Sequence, residues 1–267
     1  MPELLPGIHA VDNVSMLLMG AAVRVCPALI VEEGRLTLID AGPAGSEAPI
    51  RAYVEGLGYR LRDIERIVVT HHHSDHTGAL ARLAGDSGAV VSAHTEEVPV
   101  LERRVAEPAR PLTPRGVRAI GIDVSDMNYA LEREWESDFT APAVTVVDYL
   151  VHGDVLPILG GLTVLHAPGH TPGHIALWSE SRSVLFAADL FTYDGSDILA
   201  PLPIFTQDEG QSLSALRAIT ETYHFNVAIP YHGAPIMESA SERLRNALAA
   251  VRLAVSRPEP GAVMPGK

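Results

Sequence analysis

The chain has 267 residues, of which 47% are hydrophobic and 20% charged, and it carries a formal net charge of −13 at pH 7. That length and apolar share suffice for a buried core without disulfides, which excludes global disorder, and the acidic balance works against a nucleic-acid backbone or an anionic membrane surface as the main partner. The basic residues are Arg except for Lys267, so no internal Lys is present to serve as nucleophile, Schiff-base former or anion clamp.

The opening "MPELLPGIHAVD" places acids and prolines before any apolar run, unlike a secretory leader, and no apolar stretch reaches transmembrane length. Cys26 is the single cysteine, which fits a reducing compartment; the expectation is a soluble, cytoplasmic protein. From Ile8 to Asp40 short strands are predicted, with a hairpin turn at Glu32–Arg35, ending in the small-residue loop "DAGPAGS". A helix is predicted over Pro49–Leu57. The apolar strand Ile67–Val69 then passes through the polar "THHHSDH" into a helix that places Leu80 and Leu83 on one side.

After the strand "AVVSAH", the region 96–147 is irregular and proline-containing, with helical character in "MNYALEREWESDF". It reads either as an inserted helical cap or as a packing excursion that covers the core. Strands resume at "GLTVLHAPG", "HIALWSE" and "SVLFAADL", with a turn at Glu180–Ser183. "LSALRAITETYHF" is a predicted helix, "NVAIPYHG" a strand and loop, and "MESASERLRNALAAVRLAVSRP" a terminal helix stopped by Pro258. The organisation expected is one domain over 1–257 and a mobile tail over 258–267. Asp40 and Asp189 each end a strand in a small-residue setting, suggesting two β-rich halves packed face to face with helices outside.

The chemistry concentrates at Thr70–His76. Residues two apart share one side of an extended backbone, so His71 and His73 point together while Asp75 and His76 follow at the turn. Imidazoles and a carboxylate this close suit zinc and other borderline divalent metals. Three later polar residues also follow apolar runs directly: His170 in "APGHTPGH", Asp189 in "FAADL" and His232 in "IPYHG". Strand-end placement of this kind marks a buried cleft.

Taken together, these segments resemble the metallo-β-lactamase fold superfamily, whose signature is His-x-His-x-Asp-His followed by a His, an Asp and a final His. The resemblance runs from about Ile8 to Arg252 and implies an α/β fold arranged as a four-layer αββα sandwich. It further implies two divalent ions, zinc first, with manganese, cobalt or iron also suited to the ligands. His71, His73 and His170 would hold one ion, Asp75, His76 and His232 the other, and Asp189 would bridge them. A water activated between the ions would attack a carbonyl or phosphoryl centre, with Asp75 orienting it. Asp40 and His174 are expected to support the ligands through hydrogen bonds, and His72 to point away. For His9, His94, His152, His166 and His224, structural or surface roles are the default.

The superfamily holds several chemistries, so fold alone does not choose among them. A short C-terminal region after His232 argues against the glutathione-binding helices of glyoxalase II relatives, and the missing Lys argues against recognition of a β-lactam carboxylate. His73 stands where diiron flavoprotein relatives carry Glu. The leading expectation is a hydrolase that opens a lactone or related carboxylic ester such as an N-acyl homoserine lactone, similar to the quorum-quenching lactonases. Thioester, β-lactam or phosphoester hydrolysis on the same centre is the alternative, and a noncatalytic metal-binding protein the remote one. Those lactonases place a Tyr three residues after the bridging Asp; here Thr192 holds that position and Tyr193 follows, so both are candidates to assist catalysis. Phe191 and Tyr193 are candidate substrate contacts, and Met127–Phe139 with Leu202–Phe205 candidate walls of an acyl pocket. A small molecule is the expected partner, with no nucleic acid or membrane; subunit pairing is common among such enzymes, but no sequence feature isolates an interface.

Overall fold

The computed structural model describes residues 3–18, 21–107, 141–201 and 205–255, with the main chain alone at 17–18, 21–22 and 250–255. The expected helix and pocket wall in Met127–Phe139, the wall residues 202–204, the helix stop at Pro258 and the tail 258–267 lie outside the described residues.

Period-two alternation of large aliphatic residues sets the layers. In β5 (Ala28–Glu32), β6 (Arg35–Ile39) and β7 (Ile64–Val69), Leu29, Leu36, Leu38, Ile67 and Val69 join one core, while Ile30, Ile39 and Val68 join another. The same split occurs in β11 (Leu162–His166), β12 (Ile175–Ser179) and β13 (Val184–Ala188): Val164, Leu177 and Phe186 face the shared core, and Leu165, Ala176 and Leu185 face away. Strands apolar on both faces must be covered on both faces. The first sheet therefore packs outward on α1 (Glu47–Gly56) and, after the single turn α2 (Ser74–Thr77), on α3 (Leu80–Ser87), through Ile50, Val54, Leu80 and Leu83. The second packs outward on α5 (Glu209–Thr222) and α6 (Ala240–Val255) through Leu216, Ile219 and Leu244. The result is the helix, sheet, sheet, helix sandwich expected from the sequence.

The first sheet has the order β1 (Glu3–Leu5), β2 (Ile8–Ala10), β5, β6, β7, β8 (Val90–His94), β9 (Asp148–Leu150). Its pairings are antiparallel as far as β6 and parallel from β6 to β9. The second has the order β10 (Val155–Leu156), β11, β12, β13, β16 (Val227–Pro230), with the β13–β16 pair parallel. Two hairpins, β3 (Val14–Leu18) with β4 (Ala21–Val25) and β14 (Thr192–Tyr193) with β15 (Ile198–Leu199), stand apart from both sheets.

Several elements differ from expectation. Strand β1 precedes the expected start at Ile8, and α5 begins four residues before Leu213 because Asp208 caps it, accepting a hydrogen bond from Gln211 N–H at 2.8 Å. Within the irregular region, α4 (Val98–Leu101) is a single turn directly after β8. No helix among the described residues is long and apolar enough to cross a membrane.

The carboxyl ends of β6, β7, β11, β13 and β16 converge on one edge of the sandwich, where they deliver Asp40, His71–His76, His170, Asp189 and His232. Such an edge is where open α/β sheets place their ligands.

Candidate metal centre

Two backbone departures aim the ligands. Ala188 has φ of 47° at a register shift between β13 and β16, which turns Asp189 out of the strand. Asp40 has φ of 60°, a region that Asp tolerates better than most residues, and the bend places its carboxylate against the next strand end. Its oxygens accept from Thr70 N–H and Thr70 Oγ1 and pair with His76 Nδ1, each at 2.8 Å. Asp40 thus fixes the start of the His run and the ring of His76 together, leaving Nε2 of His76 directed at the other ligands.

The structure brings the seven expected ligand residues into two adjoining clusters. In the first, His73 Nδ1 lies 2.9 Å from His71 Nε2 and 3.0 Å from His170 Nε2. In the second, Asp75 Oδ2 lies 3.2 Å from His232 Nε2 and 3.6 Å from His76 Nε2. Asp189 sits between them, with Oδ2 at 3.2 Å from His170 Nε2 and 3.5 Å from His232 Nε2, and Oδ1 at 3.3 Å from His76 Nε2.

Several nitrogens about 3 Å apart cannot all satisfy one another with protons. That spacing is close to the edge of a tetrahedron with ligands about 2.0–2.1 Å from a central zinc ion. His76 Nε2 and Asp189 Oδ1 are both buried and face each other without making a hydrogen bond. Buried polar atoms left this way in a ring of His and Asp fit a cation, and the two clusters, joined by Asp189 and by the close approach of His71 to His76, fit two divalent ions.

Electrostatics agree with the donor chemistry. Burial, helped by the imidazoles of His76, His73 and His170, holds His71 well below the usual imidazole range, so it is neutral and ready to ligate. Burial also pulls on His232, but Asp189 and Asp75 prevail and push it up to about 10; His76 is raised for the same reason by Asp189, Asp40 and Asp75. Burial works against charge on Asp189, yet His232 and His76 hold it well below the usual carboxylate range. The second cluster is therefore an ion-paired set that a dication replaces by displacing protons.

The surroundings fix these side chains. His174 accepts the backbone N–H of Asp189 at Nε2, 3.2 Å away, and burial drives its pKa down to about 3; it supports Asp189 and stays neutral. Thr206 Oγ1 lies 3.1 Å from His170 Nδ1. Tyr231 donates its hydroxyl to the backbone oxygen of Asp75 at 2.6 Å and stacks on His76 at 3.7 Å. His72 turns away from the clusters and pairs through Nδ1 with the buried Glu97. His94 and His166 stack on each other at 4.1 Å, and burial pushes the Cys26 thiol up to about 11, which leaves it protonated and inert.

Sequence reasoning passed over Glu97, Tyr231, Thr206 and Thr70. Thr70 and Tyr231 adjoin recognised ligands, which is a usable signal. Nothing in "AHTEE" separates Glu97 from Glu96, because only the three-dimensional path of α4 buries one and exposes the other.

A cavity of about 310 Å³ opens beside the clusters, bounded by His73, Asp75, His170, Asp189 and His232 on one side. Met16, Val23, Leu199, Pro201 and Phe205 form most of the rest, and Thr192 also lines it. No Arg or Lys lines it among the described residues. Two expectations are corrected here. Phe191 is 1% exposed and belongs to the core around α5 and α6, not to the cavity. Tyr193 also packs into that core, where its hydroxyl donates to Gly195 O at 2.6 Å and accepts from Arg243 at 2.7 Å. The strand alternation of β14 explains the outcome, since Thr192 and Tyr193 must point to opposite sides.

Comparison with known proteins places the site in a family. Residues 23–222 match the model of the metallo-beta-lactamase superfamily. The "Probable metallo-hydrolase YqjP" of Bacillus subtilis is 26% identical over 223 residues, covering 78% of this chain and 66% of that protein. A "Hydroxyacylglutathione hydrolase" of Pseudomonas putida is 29% identical over 215 residues, covering 79% of this chain and 61% of that protein. The chain thus spans less than two thirds of the length of either relative. Among solved structures, the metallo-beta-lactamase family protein TTHA1429 from Thermus thermophilus superposes with a TM-score of 0.69 at 23% identity, over 94% of this chain and 81% of that one, a likeness of fold.

Proposed function

The chain belongs to the metallo-beta-lactamase superfamily, and on that premise we propose that it is a metal-dependent hydrolase that opens a lactone or a related neutral carboxylic ester. The observation that carries this reading is the cavity itself: aliphatic and aromatic walls without a cationic side chain among the described residues, ending at the His and Asp clusters. Such walls accept an uncharged acyl chain and give no partner to a substrate carboxylate.

When bound, two divalent ions at these residues supply Lewis-acid polarisation of the ester carbonyl and acidify an attacking water. The chain's own groups do the remainder. Asp75, at the cavity wall and held by His232 at 3.2 Å, accepts a proton from the attacking water. The water oxygen bonds to the acyl carbon, the acyl–oxygen bond breaks, and Asp75 returns the proton to the leaving alkoxide. The hydroxy acid formed ionises at neutral pH. Thr192, which lines the cavity, is the residue assigned to donate a hydrogen bond to the leaving oxygen in place of a tyrosine. The apolar walls exclude bulk water from the acyl side.

A second reading, hydrolysis of a hydroxyacyl thioester, is favoured by the relatives named hydroxyacylglutathione hydrolase. The lack of a cationic wall among the described residues disfavours the glutathione carboxylates. Proton release measured with an N-acyl homoserine lactone, a simple γ-lactone and a hydroxyacylglutathione separates the two. The ester reading expects kcat/KM of about 10⁴ M⁻¹s⁻¹ or more on a lactone. A thioester preferred over every lactone by tenfold or more would replace it with the second reading.

A further inference from the structure

Glu97 is fully buried, yet none of the expected metal or substrate contacts involves it. Its carboxylate sits between two loops from different sheets. From the loop after β7, its Oε2 accepts the backbone N–H of His72 at 2.8 Å and pairs with His72 Nδ1. From the loop after β11, its Oε1 accepts Thr171 Oγ1–H at 2.8 Å and the backbone N–H of Gly173 at 2.6 Å. Gly173 is required for this approach: a Cβ there would stand 2.7 Å from Glu97 Oε1 and 2.8 Å from its Cγ.

The two loops carry complementary halves of one cluster. His72 lies between His71 and His73, and Thr171 follows His170, so one carboxylate fixes the backbone on both sides of the His71, His73 and His170 set. No hydrogen bond among the described residues joins Glu97 to the other cluster, which is braced by Tyr231 through Asp75 and by Asp40 through His76; Asp40 also reaches His71 through Thr70, whose Oγ1 lies 3.2 Å from His71 Nδ1.

We propose that Glu97 is a positioning residue that sets chiefly the affinity of the His71, His73 and His170 cluster for its ion, and that of the Asp75, His76 and His232 cluster only through the shared Asp189. The inference rests on the metal-centre reading given above. Its chemical specificity is sharp because all four partners present donors. A carboxylate accepts from every one, whereas an amide must turn its NH₂ toward either the His72 backbone N–H or the Gly173 backbone N–H. Glu97→Gln is therefore disruptive despite its equal size, and it leaves a buried N–H unpaired.

The test is a stepwise Zn²⁺ titration of stripped full-length protein against a chromophoric chelator, for wild type, Glu97→Gln, Thr171→Val and Tyr231→Phe. Circular dichroism and melting of the stripped forms run in parallel. Wild type is expected to take two ions. Glu97→Gln should weaken one step by about 10- to 100-fold, the range for losing a support of a metal ligand, and leave the other within about threefold. Thr171→Val removes one donor alone and should weaken the same step by about 2- to 12-fold. Tyr231→Phe, which removes the hydrogen bond to the Asp75 backbone oxygen alone, should weaken the other step. Equal weakening of both steps by Glu97→Gln, weakening of the same step by Glu97→Gln and Tyr231→Phe, or unchanged affinities would each overturn the role of Glu97 while leaving the centre intact. Should Glu97→Gln fail to fold, Thr171→Val decides between the same outcomes. A wild type that takes no ion would overturn the metal-centre reading, and this inference with it.

Discussion

Replacing Asp40 with Asn isolates one proton in the account of the centre. Asn tolerates the positive φ of 60° at this position, so the backbone bend survives. The carboxylate faces three donors, Thr70 N–H, Thr70 Oγ1–H and His76 Nδ1–H, each at 2.8 Å. An Asn NH₂ directed at Thr70 N–H would leave a buried donor opposed to a donor, at a cost of about 1–3 kcal/mol, so the amide turns the other way. Its NH₂ then faces His76 Nδ1, which must accept, and the imidazole proton moves to Nε2. That nitrogen is the one directed at Asp75 and Asp189, and it loses the lone pair a metal needs. The expected loss is about 10- to 100-fold in affinity for one ion, or about 1.4–2.7 kcal/mol, with a smaller loss for the ion at His71, whose Nδ1 lies 3.2 Å from the Thr70 hydroxyl that Asp40 also holds. Stability of the stripped protein should fall by about 3–5 kcal/mol, because His76, held protonated there against its burial by Asp189, Asp40 and Asp75, loses one carboxylate of a buried ion pair. Chelator competition reads the first quantity and urea unfolding the second. Two ions bound with wild-type affinities would refute the tautomer argument.

Further outcomes follow from other parts of the site. Tyr193→Phe should leave kcat within about twofold, because its hydroxyl serves Gly195 and Arg243, whereas Thr192→Val should slow lactone opening about 2- to 12-fold through one lost hydrogen bond; steady-state kinetics that reverse this order would show that the tyrosine reaches the substrate. Stripped protein should lose stability on the alkaline side. The His232 pKa is raised from 6.5 to about 10 when folded, so its contribution is full below about 6.5 and disappears as pH rises through about 10. Melting of the stripped protein should therefore fall between pH 7 and 10.5 more steeply than that of the loaded protein, in which His232 is already deprotonated; parallel curves would contradict the ion-paired picture. Gly173→Ala should destabilise the protein by about 1–3 kcal/mol in denaturant unfolding, because its Cβ would stand 2.7 Å from Glu97 Oε1, and an unchanged midpoint would deny that contact.

The sandwich and the gathering of the His and Asp side chains at one edge were legible in the sequence for one physical reason. Alternating aliphatic strands declare which faces are buried, and polar residues that follow them directly, Asp40, His71, Asp189 and His232, mark the edge at which the strands end. Side-chain direction beyond that edge was not legible. Whether Thr192 or Tyr193 reaches the cavity depends on the short hairpin β14–β15, which carries two residues per strand and leaves almost no periodic signal. Phe191 resembles a cavity wall in sequence, but Ala188's bend turns it into the core beneath α5 and α6. Glu97 was illegible because its four partners come from segments 25 and up to 76 residues away. Such contacts are made by the fold and leave no local pattern.

The most direct test of the central claim is turnover measured as a function of ions bound per chain. Stripped protein is reloaded stepwise, ions are counted by elemental analysis, and proton release is followed on an N-acyl homoserine lactone, with Asp189→Asn alongside. Asp189 lies within 3.5 Å of ligand atoms from both clusters, so the account predicts two ions in the wild type, no turnover without them, and full turnover only when both are present. Asp189→Asn should bind the pair more weakly and turn over at least about 100-fold more slowly, the upper end of what losing an outer support costs. A stripped wild type that hydrolyses the lactone at the loaded rate, or an Asp189→Asn protein with unchanged metal content and rate, would contradict it.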